Sequence, residues 1–451
     1  MSAFQSEDRN GGNCHTRRVS RPSSIRDDAM KSPLVWSLAV LSLLCGSVCP
    51  AQAQADLPDD DPAIGAFLWP DRETGFWLTT EALLWRRNNS GGSGPIIGGP
   101  ESIRFGDANF NYEGGYRVGV GWLIDPNYEL EGVWTSFSGW STGQTGILTR
   151  AISFDGGQAS LFVDPTGDAN FVDPTTFFRP LYDAATNPDI ANGGANDETD
   201  EFEFMQPGST YTLKQTSNLY DAQLNIKMRR TEGQRYGFGL GFRHVTLAES
   251  ALVGVRGTFD AFDIDGDEAG VDDGNDQLSD AVLQAAGLTL VSGSGGFYDP
   301  GLGGGVFTML WNGSASNQLN GFQGTCDVSI LQRGRYSLDG NVRAGLFHNR
   351  VQGAVTETYT DSLDSVYRRS FTNQSDKLSF GGNLGLSSSI RLSERIKFRS
   401  GYEVMFLTNT ALGPSQQQGL VYDALGNASY SVQAADTLIM HGIRAGLELE
   451  W

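Results

Sequence analysis

Three histidines beyond residue 55, His244, His348 and His441, carry the widest catalytic repertoire in this chain. A hydrolase would set such a residue beside a nucleophile or carboxylate inside a cleft. Each instead continues an apolar alternation, after Phe242, Leu346 and Ile439, which points to interfacial positions rather than bases. No enzymatic activity is expected. A second concentration, Asp263, Asp265 and Asp267 followed by Glu268, Asp272, Asp273 and Asp276, has the carboxylate density of a calcium loop. Gly266 and Glu268 miss the EF-hand positions for the turn glycine and the bidentate ligand. The expectation is therefore a solvated external acidic loop, with Asp263, Asp265 and Asp267 as weak metal candidates. Gly119 and Gly121, like Gly237, Gly239 and Gly241, sit inside alternating stretches and not at a strand-to-helix turn, so no phosphate loop is implied. No cofactor is expected.

One dispersed set remains: Glu81, Arg117, Asp221, Lys227, Arg243, Asp327, Arg343, Arg399, Glu403, Arg444 and Glu448. Each falls on the polar parity of a stretch whose other parity is apolar. Charges of both signs on one side of a sheet can cross-pair and fill a narrow interior, and these are the lumen-lining candidates.

The elements that would carry them are strands. Residues 436–451 alternate Ile439, Ile443, Ala445, Leu447, Leu449 and Trp451 with Gly442, Arg444, Gly446, Glu448 and Glu450. The same two-faced pattern occurs in residues 76–87, 116–124, 128–138, 219–229, 236–243, 322–330, 336–346, 377–391 and 396–406. The connections alternate: tight at Pro126, Gly233, Gly334 and Glu394, long after Arg87, Trp140, Leu252 and Thr410, and medium near Asp361. Alternating short and long connections are the rhythm of an outer-membrane barrel, with short periplasmic turns and long external loops. The chain reads as an all-β, antiparallel, up-and-down transmembrane barrel of about ten strands, or twelve if the longest excursions (residues 139–209 and 253–317) contain hairpins. A soluble β-sandwich is the competing architecture, but its loop lengths need not alternate and its polar parity need not be so hydrophilic. Aromatics near strand ends (Trp77, Trp85, Trp122, Tyr128, Tyr220, Tyr236, Tyr336, Trp451) suit interfacial girdles.

The stretches Trp77-Leu-Thr-Thr-Glu-Ala-Leu-Leu-Trp85, Tyr116-Arg-Val-Gly-Val-Gly-Trp122 and Gly442-Ile-Arg-Ala-Gly-Leu-Glu-Leu-Glu-Trp451 resemble the outer-membrane β-barrel porin family numbered seven, described mainly in planctomycete bacteria. The resemblance spans roughly residues 76–451 and implies an outer-membrane location more than an activity. It also implies that Trp451 is the terminal aromatic read by the barrel-assembly machinery.

The chain has 451 residues, 58 of them Gly, and a formal charge of -21. That acidity argues against nucleic-acid partners. Residues 34–48 form an apolar run too short for a comfortable membrane helix, preceded by Lys31 and followed by Ala53-Gln54-Ala55. This predicts an N-terminal extension and signal peptide over residues 1–55, a Pro- and Asp-rich leader over 56–75, and the barrel over 76–451. Cys45 and Cys49 lack the preceding small residue of a lipobox, and processing leaves Cys326 as the one cysteine, an apolar strand residue. The expected function is narrow passive diffusion of small hydrophilic solutes. The alternative is a closed barrel that anchors external loops as a surface or adhesion structure. Oligomeric state is left open.

Overall fold

The structure, a computed structural model, describes residues 75–88, 96–97, 102–150, 152–154, 170–172, 203–205, 207–229, 234–258, 277–278, 283–284, 287–293, 297–298, 306–422 and 428–451. The expected signal peptide, the leader up to residue 74, the turn at residues 231–233 and the candidate loop bearing Asp263, Asp265 and Asp267 lie outside the described residues.

Ten long strands organise the described residues: β1 (Phe76–Arg87), β2 (Glu113–Asp125), β3 (Tyr128–Ile147), β4 (Thr210–Met228), β5 (Tyr236–Thr258), β6 (Val306–Arg333), β7 (Tyr336–Thr360), β8 (Val366–Arg391), β9 (Ile396–Thr410) and β10 (Asp436–Glu450). Each pairs antiparallel with its chain neighbour, and β10 also pairs with β1, closing the ring. Directly opposed residues trace its stagger. From Phe76 they run through Trp122, Leu130, Ile226, Leu240, Gly324, Ala344, Gly382, Phe406 and Ile439. The path returns at Asn88, one residue past the end of β1, whose N–H donates to the Ile439 carbonyl at 2.9 Å. A circuit that starts at residue 76 and ends at residue 88 requires strands strongly inclined to the barrel axis.

Turn chemistry sets the short end. Between β2 and β3 the Asp125 Oδ1 accepts the backbone N–H groups of Asn127 and Tyr128 at 2.6 and 2.9 Å. Between β6 and β7 Gly334 takes a φ of 56°, which favours glycine. The short strands of the long connections pair among themselves, except Thr289–Ser292, which lies along β8. The ring therefore stays at ten.

Strands β3 to β8 rise well past the others: β6, β7 and β8 have 28, 25 and 26 residues, against 12 and 13 in β1 and β2. This shortens both expected excursions, because β3 continues to Ile147, β4 begins at Thr210, β5 continues to Thr258 and β6 begins at Val306. The extra length hides in a reversal of polarity. Along the lower part of β7 Tyr336, Leu338, Val342 and Leu346 face outward while Ser337, Asp339, Asn341 and Arg343 face inward. Beyond His348 the outward positions are Arg350, Gln352, Thr356 and Thr358, and the inward ones Val351, Val355 and Tyr359 are buried. β5 and β6 reverse at the same register, where His244, Asn320 and His348 stand directly opposed.

Below the reversal the exterior is an apolar belt, with Leu240 75% and Phe322 77% exposed. The β7 part of this belt, residues 336–346, matches the roughly 9–11 residues that a tilted membrane strand needs. The strands there pair on both sides within a closed ring, the condition for crossing hydrocarbon with strands. The barrel is transmembrane. Trp122, Tyr128, Tyr236, Tyr336 and Trp451 are exposed as expected of girdle aromatics. Trp77 and Trp85 are not girdle residues. They share the parity of Glu81, point inward and are buried, Trp85 completely.

Candidate functional site

All eleven charged candidates point into the barrel. At its short-turn end, Lys397 Nζ lies 2.5 Å from Glu450 and 3.3 Å from Glu448, and Arg399 Nη1 lies 2.7 Å from Glu448. Lys227 bridges Glu131 at 2.6 Å and Asp327 at 3.0 Å, and Arg343 reaches Glu131 at 3.3 Å. Asp327 and Arg399 keep just over a quarter of their side chains in contact with solvent, so this end is a wet vestibule.

One layer deeper a chain of polar contacts crosses the interior. Asp221 on β4 receives both Nε and Nη2 of Arg243 on β5, at 2.8 and 2.9 Å. Arg243 Nη1 donates to Asn383 on β8 at 2.7 Å, Asn383 donates to Glu403 on β9 at 2.6 Å, and Glu403 accepts from Arg117 on β2 at 2.7 Å. Arg444 closes onto Glu81 at 3.2 Å, and Glu81 lies 3.6 Å from Arg117. The bidentate Arg–Asp fork fixes geometry as well as charge. Arg243 is 0% exposed and Glu403 2%, so both are closed off from solvent.

Gly121 and Gly241 leave no free space at the lumen. A Cβ on Gly121 would stand 2.0 Å from the Trp77 indole, and one on Gly241 2.1 Å from Asn225 Oδ1. These glycines house inward side chains of neighbouring strands.

Above the polar layer the interior turns apolar. Phe137 stacks on Trp140 at 4.5 Å between ring centroids and tilts against Trp85 at 5.0 Å, with Leu219, Val245, Leu247, Leu319, Phe347, Met405 and Met440 packed around them. Two external connections fold in over this core. The β1–β2 connection brings Ile96, Ile97, Ile103 and Phe105 against Val253, Val255, Phe307 and Trp311 of the tall wall. The β9–β10 connection, expected as one of the long connections and Gly/Gln-rich over residues 413–427, turns inward past Asn409, whose φ is 50°. Its residues 411–417 are all buried. Asn317 holds it by accepting the Ala411 N–H at 2.8 Å and donating to the Ala411 carbonyl at 2.7 Å. Farther along, the Tyr430 hydroxyl, whose pKa burial raises, donates to Gln416 Oε1 at 2.6 Å. A buried Arg87–Glu249 ion pair ties the low wall to the tall one, and Phe110 stacks on the Arg87 guanidinium at 4.4 Å.

Glu131, Gln223, Asn225, Glu249, Asn317, Gln323 and Asn383 belong to this interior but not to the set singled out from the sequence. The parity of Glu131, Gln223, Asn225, Gln323 and Asn383 was available and their cross-lumen partners were not, whereas Glu249 and Asn317 fall outside the stretches read as strands. The three histidines face outward: His441 Nδ1 lies 2.7 Å from the Tyr402 hydroxyl, His244 Nδ1 2.7 Å from Asn320, and exposed His348 3.3 Å from Asp376. Among the described residues no group of three His, Cys, Asp or Glu is placed to hold a metal ion.

No protein-family model matches the chain, and no curated protein matches it. Among solved structures it is similar to the outer-membrane protease OmpT from Escherichia coli, at 10% identity and a TM-score of 0.38, over 84% of this chain and 97% of that one. The toluene transporter TodX from Pseudomonas putida aligns at 9% identity and a TM-score of 0.24, over 87% and 93%. An anion-selective porin from Comamonas acidovorans aligns at 8% and 0.16, over 84% and 99%. Likeness at this level assigns no role to any residue here.

Proposed function

We propose that the chain is an outer-membrane barrel that holds an external structure in place and conducts little or nothing at rest. The observation behind this reading is the crossed interior, in which Asp221, Arg243, Asn383, Glu403 and Arg117 join opposite walls beneath a packed aromatic core. Barrels of about eight strands are filled by side chains, whereas those of sixteen to eighteen hold aqueous channels, and ten lies near the filled limit. The tall wall of β3 to β8 suits a structural role, since it carries ordered sheet beyond the membrane belt. With its histidines on the outer surface, the reading is non-enzymatic. A narrow porin for small hydrophilic solutes would use the same lumen, entering from the vestibule at Asp327 and Arg399 and parting both layers above it.

Single-channel recording of purified protein in a planar bilayer tests this. The expected trace is silent or shows rare small events. A large, steady conductance that survives Arg117→Ala and Arg243→Ala would overturn the closed reading.

A further inference from the structure

Residues 411–413 are held to the wall through their backbone, whereas Gln416 is held through its side-chain amide, which meets the Tyr430 hydroxyl and the Gln433 backbone. Asn317, fully buried between Ala315 and Leu319, pairs with both the N–H and the carbonyl of Ala411, reproducing with one amide side chain what a neighbouring strand would offer. At the end of β9, just before the segment, Asn349 donates to the Asn409 carbonyl at 3.0 Å, and within the segment the Gly413 N–H points at Glu249 Oε2 from 3.4 Å. The wall is stripped of side chains where the segment sits. A Cβ at Gly313 would stand 2.6 Å from the Gly413 carbonyl, and one at Gly353 2.7 Å from Gln416 Oε1 and 2.3 Å from the Tyr430 hydroxyl.

We propose that the loop-side half of the interior is a binding cup for a compactly turned polypeptide segment, occupied in this chain by its own residues 411–419, of which Pro414–Gly419 form a 3-10 helix. The class of ligand follows from the donors and acceptors: Asn317 and Glu249 address the peptide backbone at Ala411 and Gly413, and the glycine seats admit it closely. An occupant needs small residues where Ala411 and Gly413 pass, because a Cβ on Gly413 would stand 2.9 Å from the Ala251 backbone nitrogen. The cup is blind, since the Arg243 layer closes it below. In that respect the proposal rests on the closed-lumen reading.

The test replaces residues 411–419 of the full chain with a Gly/Ser linker of equal length and adds, in trans, a fluorescent peptide copying residues 409–419. Folding is checked by heat-modifiable gel migration. The linker variant should bind the peptide saturably, the native chain at least tenfold more weakly because its own segment competes, and the linker variant carrying Asn317→Leu at least tenfold more weakly than without it. Absence of saturable binding to the folded linker variant, or binding indifferent to Asn317→Leu, overturns the proposal. Should the linker variant not fold, Gly353→Leu in the full chain provides a second route: filling the seat should expose Ser415→Cys to a water-soluble maleimide. Protection unchanged by Gly353→Leu counts against the cup. Bilayer recording separates the two readings, because a conducting linker variant breaks the closed-lumen reading whatever its peptide binding.

Discussion

Below the level of His244, Asn320 and His348 the barrel is inside out; above it the same strands are built like a soluble protein. In the lower half Tyr336, Leu346 and Phe322 meet lipid while Asp221, Arg243 and Glu403 fill the interior. In the upper half Val351, Val355 and Trp311 are buried while Gln352, Thr356 and Ser316 face outward. Along β5, β6 and β7 the pairing runs through this level without a register shift, so the reversal there is written wholly in residue type. The solvent outside dictates it: hydrocarbon accepts apolar side chains and leaves polar ones to pair within, whereas water reverses both preferences.

The largest break in this comparison should come from the polar layer. Arg243→Leu leaves the Asp221 carboxylate buried and uncompensated, which costs about 3–5 kcal/mol, whereas Arg243→Leu with Asp221→Leu should recover most of that loss. Denaturant titration of the refolded barrel, read by gel migration, measures both. A double variant no more stable than the single would mean that the pair is not the unit holding this layer.

Next in size is a charge placed on the two exteriors. Leu384→Arg and Phe398→Arg introduce a cation into the apolar belt and should cost roughly 2–4 kcal/mol each near the midplane. Thr356→Arg, outward on β7 above the reversal, should stay within about 0.5 kcal/mol. Equal penalties at the two levels would erase the boundary.

How much of this was legible in the sequence follows from the same reversal. Period-two alternation and the turn residues at Pro126, Gly334 and Glu394 suffice for ten strands, their order and the inward parity of Glu81, Arg117 and Arg444. Parity tracked by its apolar member fails at residue 244. From there the apolar residues of β5 are Val245, Leu247, Ala251 and Val253, on the face that had carried Gly239, Gly241 and Arg243, and a continuing strand reads as the start of a loop. Residues 413–427 failed differently. Glycine, proline and glutamine show no period, and nothing local marks Asn317, about a hundred residues earlier, as the side chain that takes up Ala411. Trp77 and Trp85 were assigned to the girdle from residue type against their own parity, and parity prevailed.

A smaller effect distinguishes filled from open space at the glycines. Gly121→Val forces a side chain into the Trp77 indole and should cost about 1–3 kcal/mol. Gly114, with nothing within 4 Å of its would-be Cβ, should accept Val within about 0.5 kcal/mol. A neutral Gly121→Val would mean that Trp77 moves freely and that the lower interior is looser than its packing.

The finest test changes stability hardly at all and locates the boundary itself. Cys326 lies outward within the belt, between Phe238 and Val342 on the adjoining strands, so in reconstituted vesicles a membrane-impermeant maleimide should leave it unmodified. On a Cys326→Ser background, Leu346→Cys should be similarly protected by lipid, whereas Gln352→Cys, six residues along the same face of β7, should react readily. Because 346 and 352 share parity, a difference between them cannot come from one pointing inward; it can come only from the medium outside. Detergent extraction should then raise labelling at 326 and 346 and leave 352 unchanged. If all three thiols react alike before extraction, the reversal at His348 does not mark the edge of the membrane, and the apolar belt would have to be covered by protein instead.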